Sequence, residues 1–312
     1  MPDLARSSFY TAPIKILANK KMEGCSVNQE CKIDLGYTTI AGKMWGNEGG
    51  EPTIALHGYL DNANSFDAIA PSLSGLRIFA MDFAGHGWSD YRREGELYTG
   101  LNDIKDVLAV ADKLGWDSFN IIGHSMGAEI GSQLAGLFPE RVRCLLCIDG
   151  YCGTNVVPET IANLKSVIKT SFKKNSTLKV FPDFDAMTSR LCEATGQNAT
   201  SARCLIERGH KKVEGGYTWI TDPRIKGSGP MEMTGDQLGY LLDETIAETL
   251  FIVADRENQW LKRTLDIMQA RDDKQLTITD LSAHHHLHMQ EQADEVATLI
   301  SDFIFSKQRK SA

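Results

Sequence analysis

The sequence lacks any long apolar run. No segment of its 312 residues approaches the roughly 18 consecutive apolar residues of a membrane span. Its first twenty residues mix Pro2, Asp3, Arg6 and Lys15 with scattered apolar residues, unlike the continuous apolar core of a signal peptide. We therefore expect a cytoplasmic protein without a membrane span, although a short amphipathic organelle signal stays open.

The chain also has fewer basic than acidic residues. The chain has 33 Lys and Arg against 41 Asp and Glu, a formal net charge of −8. Such a field repels nucleic acid and anionic membranes, so we expect neither as a partner. No internal repeat or low-complexity tract is present, and 42% apolar residues suffice for one large core. The sequence carries no indication of oligomeric state.

Cysteines are few, odd in number and scattered. The seven are Cys25, Cys31, Cys144, Cys147, Cys152, Cys192 and Cys204. Most lie in or near apolar stretches, which favours free thiols in a reducing compartment. Cys144 and Cys147 form a C-x-x-C pair, but within a strand their side chains point to opposite faces, so a zinc or redox role is not expected.

What is present is an alternation of short apolar runs with helical patterns, typical of parallel βαβ units. A hairpin is predicted first, over residues 31–35 and 38–45. The six predicted core strands are 53–57, 77–82, 119–123, 142–149, 249–255 and 276–281. The predicted fold class is therefore α/β: a mostly parallel sheet with helices on both faces.

One interval breaks this alternation. Residues 151–235 separate two core strands by far more than a usual βα loop and contain helical patterns of their own. We interpret them as a helical cap inserted between core segments 1–150 and 236–312. The Gly- and Pro-rich stretch 208–239 predicts a mobile return to the core.

A strand, a tight turn and a helix surround Gly123-His124-Ser125-Met126-Gly127. This is the G-x-S-x-G nucleophile elbow in its required setting. The glycines leave room for the turn, and Ser125 stands at a helix N-terminus, whose partial positive charge favours an oxyanion. Ser125 is the predicted nucleophile.

A serine hydroxyl needs a base to take its proton. The loop after the last predicted strand reads Ser282-Ala283-His284-His285-His286-Leu287-His288-Met289. Four histidines in five positions could also bind a metal, but no Cys, Asp or Glu accompanies them at ligand spacing. We therefore expect no metal and no other cofactor.

Together these stretches resemble the α/β-hydrolase family, and within it the serine-hydrolase-like proteins, over nearly the full length. The resemblance rests on residues 56–62, 82–89, 123–127, 215–224 and 285–289. It implies that His285 is the catalytic histidine, with His284 and His286 as alternatives. It also implies an oxyanion hole formed by the backbone N–H groups of Tyr59 and Met126. We interpret the remaining motif histidines, His57, His86 and His124, as structural.

Three strand-end carboxylates compete for the third catalytic position. Asp149 ends the strand after the nucleophile's helix, Asp255 ends the next predicted core strand, and Glu257 follows two residues later. Any of them could orient an imidazole. Serine-hydrolase-like members resemble this chain at Asp149 and often have glycine at the position of Glu257, so the resemblance favours Asp149.

The predicted function is hydrolysis of a small carboxylic ester or related acyl substrate through an acyl-enzyme. Because fold and triad do not determine the reaction, carbon–carbon cleavage, lyase or perhydrolase chemistry stays open, as does a low-turnover receptor. A dehalogenase or epoxide hydrolase is disfavoured, since those relatives have Asp in place of Ser125. Trp219 in the cap is a candidate substrate-binding residue, with packing inside the cap as the alternative.

Overall fold

The computed structural model describes residues 29–154, 157–171, 179–226, 233–271 and 275–311. An eight-stranded sheet forms its centre. The strands of the chain, in order, are β1 Gln29–Asp34, β2 Thr39–Trp45, β3 Glu51–Leu56, β4 Leu76–Met81, β5 Phe119–His124, β6 Val142–Ile148, β7 His210–Val213, β8 Gly216–Trp219, β9 Glu248–Val253 and β10 Leu276–Asp280. The large sheet has the order β1-β2-β4-β3-β5-β6-β9-β10.

The first two strands are antiparallel to their neighbours, and the remaining neighbours are parallel. The predicted hairpin and the six predicted core strands are therefore confirmed, with ends shifted by one or two residues. The α/β fold class is confirmed with them.

Helices cover both faces of the sheet. They are α1 Gly100–Leu114, α2 Met126–Leu137, α3 Val157–Ser171, α4 Phe184–Thr195, α5 Ala199–Gly209, α6 Gly235–Glu244, α7 Gln259–Gln269 and α8 Ala293–Ser311. One core cluster joins one face of the sheet to α1, α2, α6 and α7, and the other joins the opposite face to α8 and residues 63–73. Each face of the sheet thus buries its own apolar layer.

The central strand β6 shows how one sequence supplies both layers. Leu145 and Cys147 belong to one cluster, whereas Cys144, Leu146 and Ile148 belong to the other. Alternate side chains of a strand point to opposite faces. The C-x-x-C pair is therefore split across the sheet, as predicted.

Five described cysteines are free thiols: Cys144, Cys147, Cys152, Cys192 and Cys204. Cys31 is disulfide-bonded, which the expectation of mostly free thiols in a reducing compartment did not include. Cys25 lies outside the described residues. Among the helices of the described residues, none has the length and apolarity that crossing a bilayer requires.

Between β6 and β9 the chain forms α3, α4, α5 and a separate two-stranded sheet of β7 and β8. A small apolar cluster of Phe181, Met187 and Ile206 lies inside this insertion. Helix α6 instead packs on the main core, where a Cβ on Gly136 of α2 would lie 2.4 Å from a methyl carbon of Leu241. The cap and its predicted end near residue 235 stay a prediction.

A buried ion pair joins the insertion to the core. Arg208 at the end of α5 is 1% exposed and donates from Nε to both carboxylate oxygens of Asp82, at 3.0 and 2.8 Å. Its Nη1 also contacts Glu30 of β1 at 2.6 Å. Removing one partner of a buried pair leaves an uncompensated charge, which typically costs about 3–5 kcal/mol.

The return segment after α5 is bound to the core as well. Asp222 accepts a hydrogen bond from the Tyr98 hydroxyl at 2.7 Å, and its backbone N–H donates to the carbonyl of Gly85 at 2.9 Å. Arg224 donates to Asp222 and to the carbonyls of Arg92 and Arg93. Polar contacts of Arg208, Asp222 and Arg224 thus join this segment to the core, and its mobility stays a prediction.

Candidate active site

Three neighbouring strands of the sheet, β3, β5 and β6, end at the same edge. Strands β3 and β5 are neighbours in the sheet. The chain leaves β3 toward β4 on one side and leaves β5 toward β6 on the other, so the two connections run in opposite directions. In open α/β sheets, such a reversal opens a crevice beyond the carboxyl ends of the strands. The loops after these strands carry Tyr59, Ser125 and Asp149 to that crevice.

Ser125 occupies a tight turn between β5 and α2. Its backbone is left-handed, with φ of 49°, and its side chain is half-buried. A Cβ on Gly127 would lie 2.0 Å from the carbonyl oxygen of Leu56, and one on Gly123 would lie 2.5 Å from the Cα of Ala128. Glycine is therefore required at both positions, and the turn presents Ser125 at the start of the helix.

Asp149 is held in a similar strained turn after β6, with φ of 44°. The next residue, Gly150, packs so closely that a Cβ there would lie 2.5 Å from the carbonyl oxygen of Ser125. Only Leu60, Ser125 and Asp149 have positive φ among the non-glycine residues that the structure describes. All three follow the strands of the crevice, and backbone strain of this kind is often found at functional sites.

The carboxylate of Asp149 contacts His285. Nδ1 of His285 lies 2.6 Å from Oδ2 of Asp149, while Oδ1 accepts the N–H of Ala254 at 2.8 Å. A carboxylate only accepts, so Nδ1 carries the proton and Nε2 has a free lone pair in the neutral ring. The Asp149 side chain is 2% exposed and that of His285 is 38% exposed. This arrangement gives a fixed imidazole whose basic nitrogen is available for proton transfer.

The other two candidate acids lie elsewhere. Glu257 has a side chain that is 81% exposed and pairs with Lys262 at 3.0 Å. Asp255 is exposed and accepts the backbone N–H of Glu257 at 2.9 Å, which closes a local turn. The structure thus brings Asp149, and neither Asp255 nor Glu257, to the imidazole of His285.

The two positions expected to form an oxyanion hole flank the same crevice. Met126 is the first residue of α2, where backbone N–H groups have no acceptor within the helix. Tyr59 lies in the loop after β3 and is 41% exposed. Met126 directly follows Ser125, and Tyr59 follows the strand next to β5 in the sheet.

The remaining histidines of the last loop have other contacts. His284 donates from Nε2 to the carbonyl of Thr195, at 3.0 Å, so it bridges to the insertion. His286 is buried, with Nε2 3.5 Å from Oδ2 of Asp61. His288 is fully buried, and its Nε2 lies 2.8 Å from the Ser65 hydroxyl. Of the four, His285 alone contacts Asp149 among the described hydrogen bonds and ion pairs.

His57, His86 and His124 are buried and have structural contacts. His57 donates from Nδ1 to the carbonyl of Gly58 at 2.7 Å and accepts the N–H of Phe83 at Nε2 at 3.1 Å. Burial lowers the pKa of His57 to about 3 and the pKa values of His86 and His124 to about 4. These rings are therefore neutral near pH 7.

His124 also touches the candidate base. Its Nε2 lies 3.0 Å from the backbone carbonyl of His285, and the two ring centroids are 4.8 Å apart. Because a carbonyl oxygen only accepts, the Nε2 of His124 is the donor. The residue directly before Ser125 thus holds the backbone of the residue that would activate it.

Sequence reasoning missed two residues near the site. Asp61 contacts the histidine loop from the stretch 56–62, so the family resemblance was the only signal that pointed near it. Arg208 fixes the insertion to the core through Asp82, and no motif marked it. Both act across the fold from distant parts of the chain.

Trp219 lies on β8 and packs against the small cluster of the insertion. Its ring centroid is 6.0 Å from that of Phe181 in an edge-to-face arrangement. Trp219 is therefore in contact with the apolar cluster of the insertion, and a role in substrate binding stays a prediction.

The eight-stranded sheet, the strained serine turn and the His285–Asp149 pair are the features of an α/β hydrolase. A family model described as the alpha/beta hydrolase fold matches residues 52–199. A serine hydrolase-like protein of Dictyostelium discoideum is 31% identical over 305 residues, covering 90% of this chain and 83% of the relative. Another, from Danio rerio, is 28% identical over 289 residues and covers 88% of each chain.

A solved structure is also similar over most of the chain. The crystal structure of a hypothetical protein from Pseudomonas aeruginosa has 33% sequence identity and a TM-score of 0.78, covering 89% of this chain and 99% of that one. The chain therefore belongs to the α/β-hydrolase family and is related to the serine hydrolase-like proteins.

Proposed function

We propose that the protein cleaves a small carboxylic ester or a related acyl compound through an acyl-enzyme formed on Ser125. The observation that carries this proposal is the 2.6 Å contact between His285 Nδ1 and Asp149 Oδ2 at the edge where the strained Ser125 turn also lies. An Asp-oriented imidazole is the usual means of activating a serine hydroxyl.

In this mechanism the Oγ of Ser125 attacks the acyl carbon while the Nε2 of His285 takes the hydroxyl proton. Backbone N–H groups of Met126 and Tyr59 stabilise the oxyanion of the tetrahedral intermediate. Collapse of the intermediate breaks the ester bond, and His285 returns the proton to the departing alcohol. Water then repeats the sequence on the acyl-enzyme and releases the acid. The steps need no metal or cofactor.

Asp149 keeps the base in its working tautomer. Its Oδ1 is occupied by the Ala254 N–H, which leaves Oδ2 to accept the proton of His285 Nδ1. The carboxylate is almost fully buried, so its interaction with a developing imidazolium is strong. Glu257 has no part in this proposal, because its exposed side chain pairs with Lys262.

We further propose that residues 151–235 form a cap that selects the substrate. Helix α5 supports this role, because it lies against the loop after β3: Asn62 donates from Nδ2 to the carbonyl of Leu205 at 2.9 Å. That loop also contributes Tyr59 to the proposed oxyanion hole. A cap held against a catalytic loop can shape the acyl pocket without taking part in the chemistry.

The test is labelling with a fluorophosphonate followed by turnover of a nitrophenyl ester series of increasing acyl length. We expect a single adduct on Ser125 by mass spectrometry and a preference for some chain lengths over others. The Ser125→Ala variant should show neither the adduct nor ester turnover. The control Ser74→Ala, which changes an exposed serine, should show both the adduct and the turnover. An adduct on another residue, with Ser125 unmodified, would refute the proposal.

A further inference from the structure

Three buried side chains converge beside the active site without contributing to the Asp149 pair. They are Asp61 from the loop after β3, His124 at the end of β5 and His286 from the loop after β10. One ligand atom from each, Oδ2, Nδ1 and Nε2 respectively, lies within 4.8 Å of the other two. Two imidazoles and a carboxylate are a donor set that zinc commonly takes.

The separations do not correspond to hydrogen bonds. Oδ2 of Asp61 is 3.6 Å from Nδ1 of His124 and 3.5 Å from Nε2 of His286. A protein N–H···O hydrogen bond brings the two atoms to about 2.7–3.2 Å. Ligands placed tetrahedrally at about 2.0–2.1 Å from a zinc ion are about 3.4 Å from one another. The two Asp61 separations are therefore close to that of atoms sharing one metal ion, and the two imidazole nitrogens lie within 4.8 Å of each other.

The hydrogen bond of His124 explains why these atoms stay apart. Its Nε2 donates to the carbonyl of His285 at 3.0 Å, so the neutral ring has a bare lone pair at Nδ1. That lone pair faces the carboxylate of Asp61. Within the described part of the chain, Asp61 Oδ2 and His124 Nδ1 are buried without a hydrogen-bond partner. Buried polar atoms in proteins nearly always have a hydrogen-bond partner or a bound ion. A cation placed between the two lone pairs would interact with both atoms.

A glycine keeps the space beside these atoms open. A Cβ on Gly58 would lie 2.8 Å from Nδ1 of His124 and 3.1 Å from Oδ2 of Asp61. Any side chain at position 58 would therefore press on both atoms. The sequence supplies the smallest residue where the two unpartnered atoms face the backbone.

We propose that Asp61, His124 and His286 bind a zinc ion through Oδ2, Nδ1 and Nε2, with a water molecule as fourth ligand. His124 then has the arrangement usual for a metal-bound histidine, with its second nitrogen donating to a backbone carbonyl. That carbonyl belongs to His285. The ion would join the loop after β3, the end of β5 and the loop of His285, so its role is to hold the imidazole in place and not to contact the substrate.

Zinc binding is measured on the full chain after equilibration with ZnSO₄ and gel filtration, by elemental analysis of metal per chain. We expect about one bound zinc in the wild type and a rise in melting temperature. Asp61→Asn and His286→Gln should each weaken zinc binding by more than about 100-fold. This loss is larger than the about 10–100-fold seen when a residue that only contacts a metal ligand is removed. His284→Gln, which changes a neighbouring histidine of the same loop, should bind zinc as the wild type does.

Cobalt provides a second readout that does not depend on activity. Co²⁺ in the wild type should give the intense visible absorption of a tetrahedral site, and excess zinc should remove it. Circular dichroism of each variant shows whether it is folded. If Asp61→Asn does not fold, zinc binding by His286→Gln is the test of the proposal. A wild type without retained zinc, or equal binding by wild type, His286→Gln and Asp61→Asn, would overturn the proposal.

Discussion

Two adjacent histidines of one loop each face a buried aspartate, yet the two pairs differ in distance and in the exposure of the histidine. His285 lies 2.6 Å from Asp149, and its side chain is 38% exposed. His286 lies 3.5 Å from Asp61, and its side chain is 9% exposed. A short contact with an open face suits proton transfer, whereas a longer contact in a closed space suits a shared cation.

The difference comes from the strands that supply the aspartates. Asp149 follows β6 in a left-handed turn, and the Ala254 N–H holds its second oxygen. Asp61 follows β3 in a loop that also faces His124, so one carboxylate meets two imidazoles. The same residue types thus serve different chemistry according to the number of partners around the carboxylate.

The largest effect expected from a carboxylate change is at Asp149. Asp149→Asn removes the charge but keeps the shape, so the protein should fold while kcat falls by about 10⁴-fold, because the imidazole loses its working tautomer. The matched control Glu257→Gln should keep nearly full activity, since that side chain is exposed. Ester hydrolysis and melting temperature are the measurements. A larger loss from Glu257→Gln than from Asp149→Asn would reverse the assignment of the acid.

A smaller effect is expected at Asp61. Asp61→Asn should lower kcat by about 10–100-fold, the range seen when an outer partner of a functional group is removed, because Asp61 acts on His285 only through His124. KM should change little, and Ser125 should still react with a fluorophosphonate. A loss as large as that of Asp149→Asn would mean that the two pairs do not have separate roles.

The smallest effect on catalysis is expected from the cap. Trp219 contacts neither of the two His–Asp pairs. The change Trp219→Ala removes a partly buried ring that packs against the Phe181 cluster. Its cost should stay below the about 3–5 kcal/mol of a fully buried aromatic side chain, with an unchanged preference among acyl chain lengths. The control is Tyr240→Ala, whose side chain is 75% exposed. A shifted chain-length profile at an unchanged melting temperature would make Trp219 a pocket residue.

The fold could be predicted from the sequence because its signals are local. Apolar runs of strand length and the glycine pattern around Ser125 require no knowledge of distant contacts. The choice between Asp149 and Glu257 was different, since both follow core strands and β6 lies next to β9. Only three-dimensional placement shows that Asp149 turns toward His285 while Glu257 faces solvent.

The cluster of Asp61, His124 and His286 could not be predicted from the sequence, for a related reason. In the sequence, no Cys, Asp or Glu accompanies the histidine loop at ligand spacing. Asp61 follows β3, His124 ends β5 and His286 follows β10, so the three residues meet only when the sheet forms. Arg208 was missed in the same way, because its partners Asp82 and Glu30 lie far away along the chain.

The comparison of His285→Ala with His286→Ala, by kcat for one nitrophenyl ester, tests the account most directly. The account predicts that His285→Ala lowers kcat by about 10⁶-fold, the scale seen when a triad histidine is removed. His286→Ala should lower it by no more than about 100-fold while abolishing zinc binding. Equal losses from the two variants, or a greater loss from His286→Ala, would show that His285 is not the base that activates Ser125.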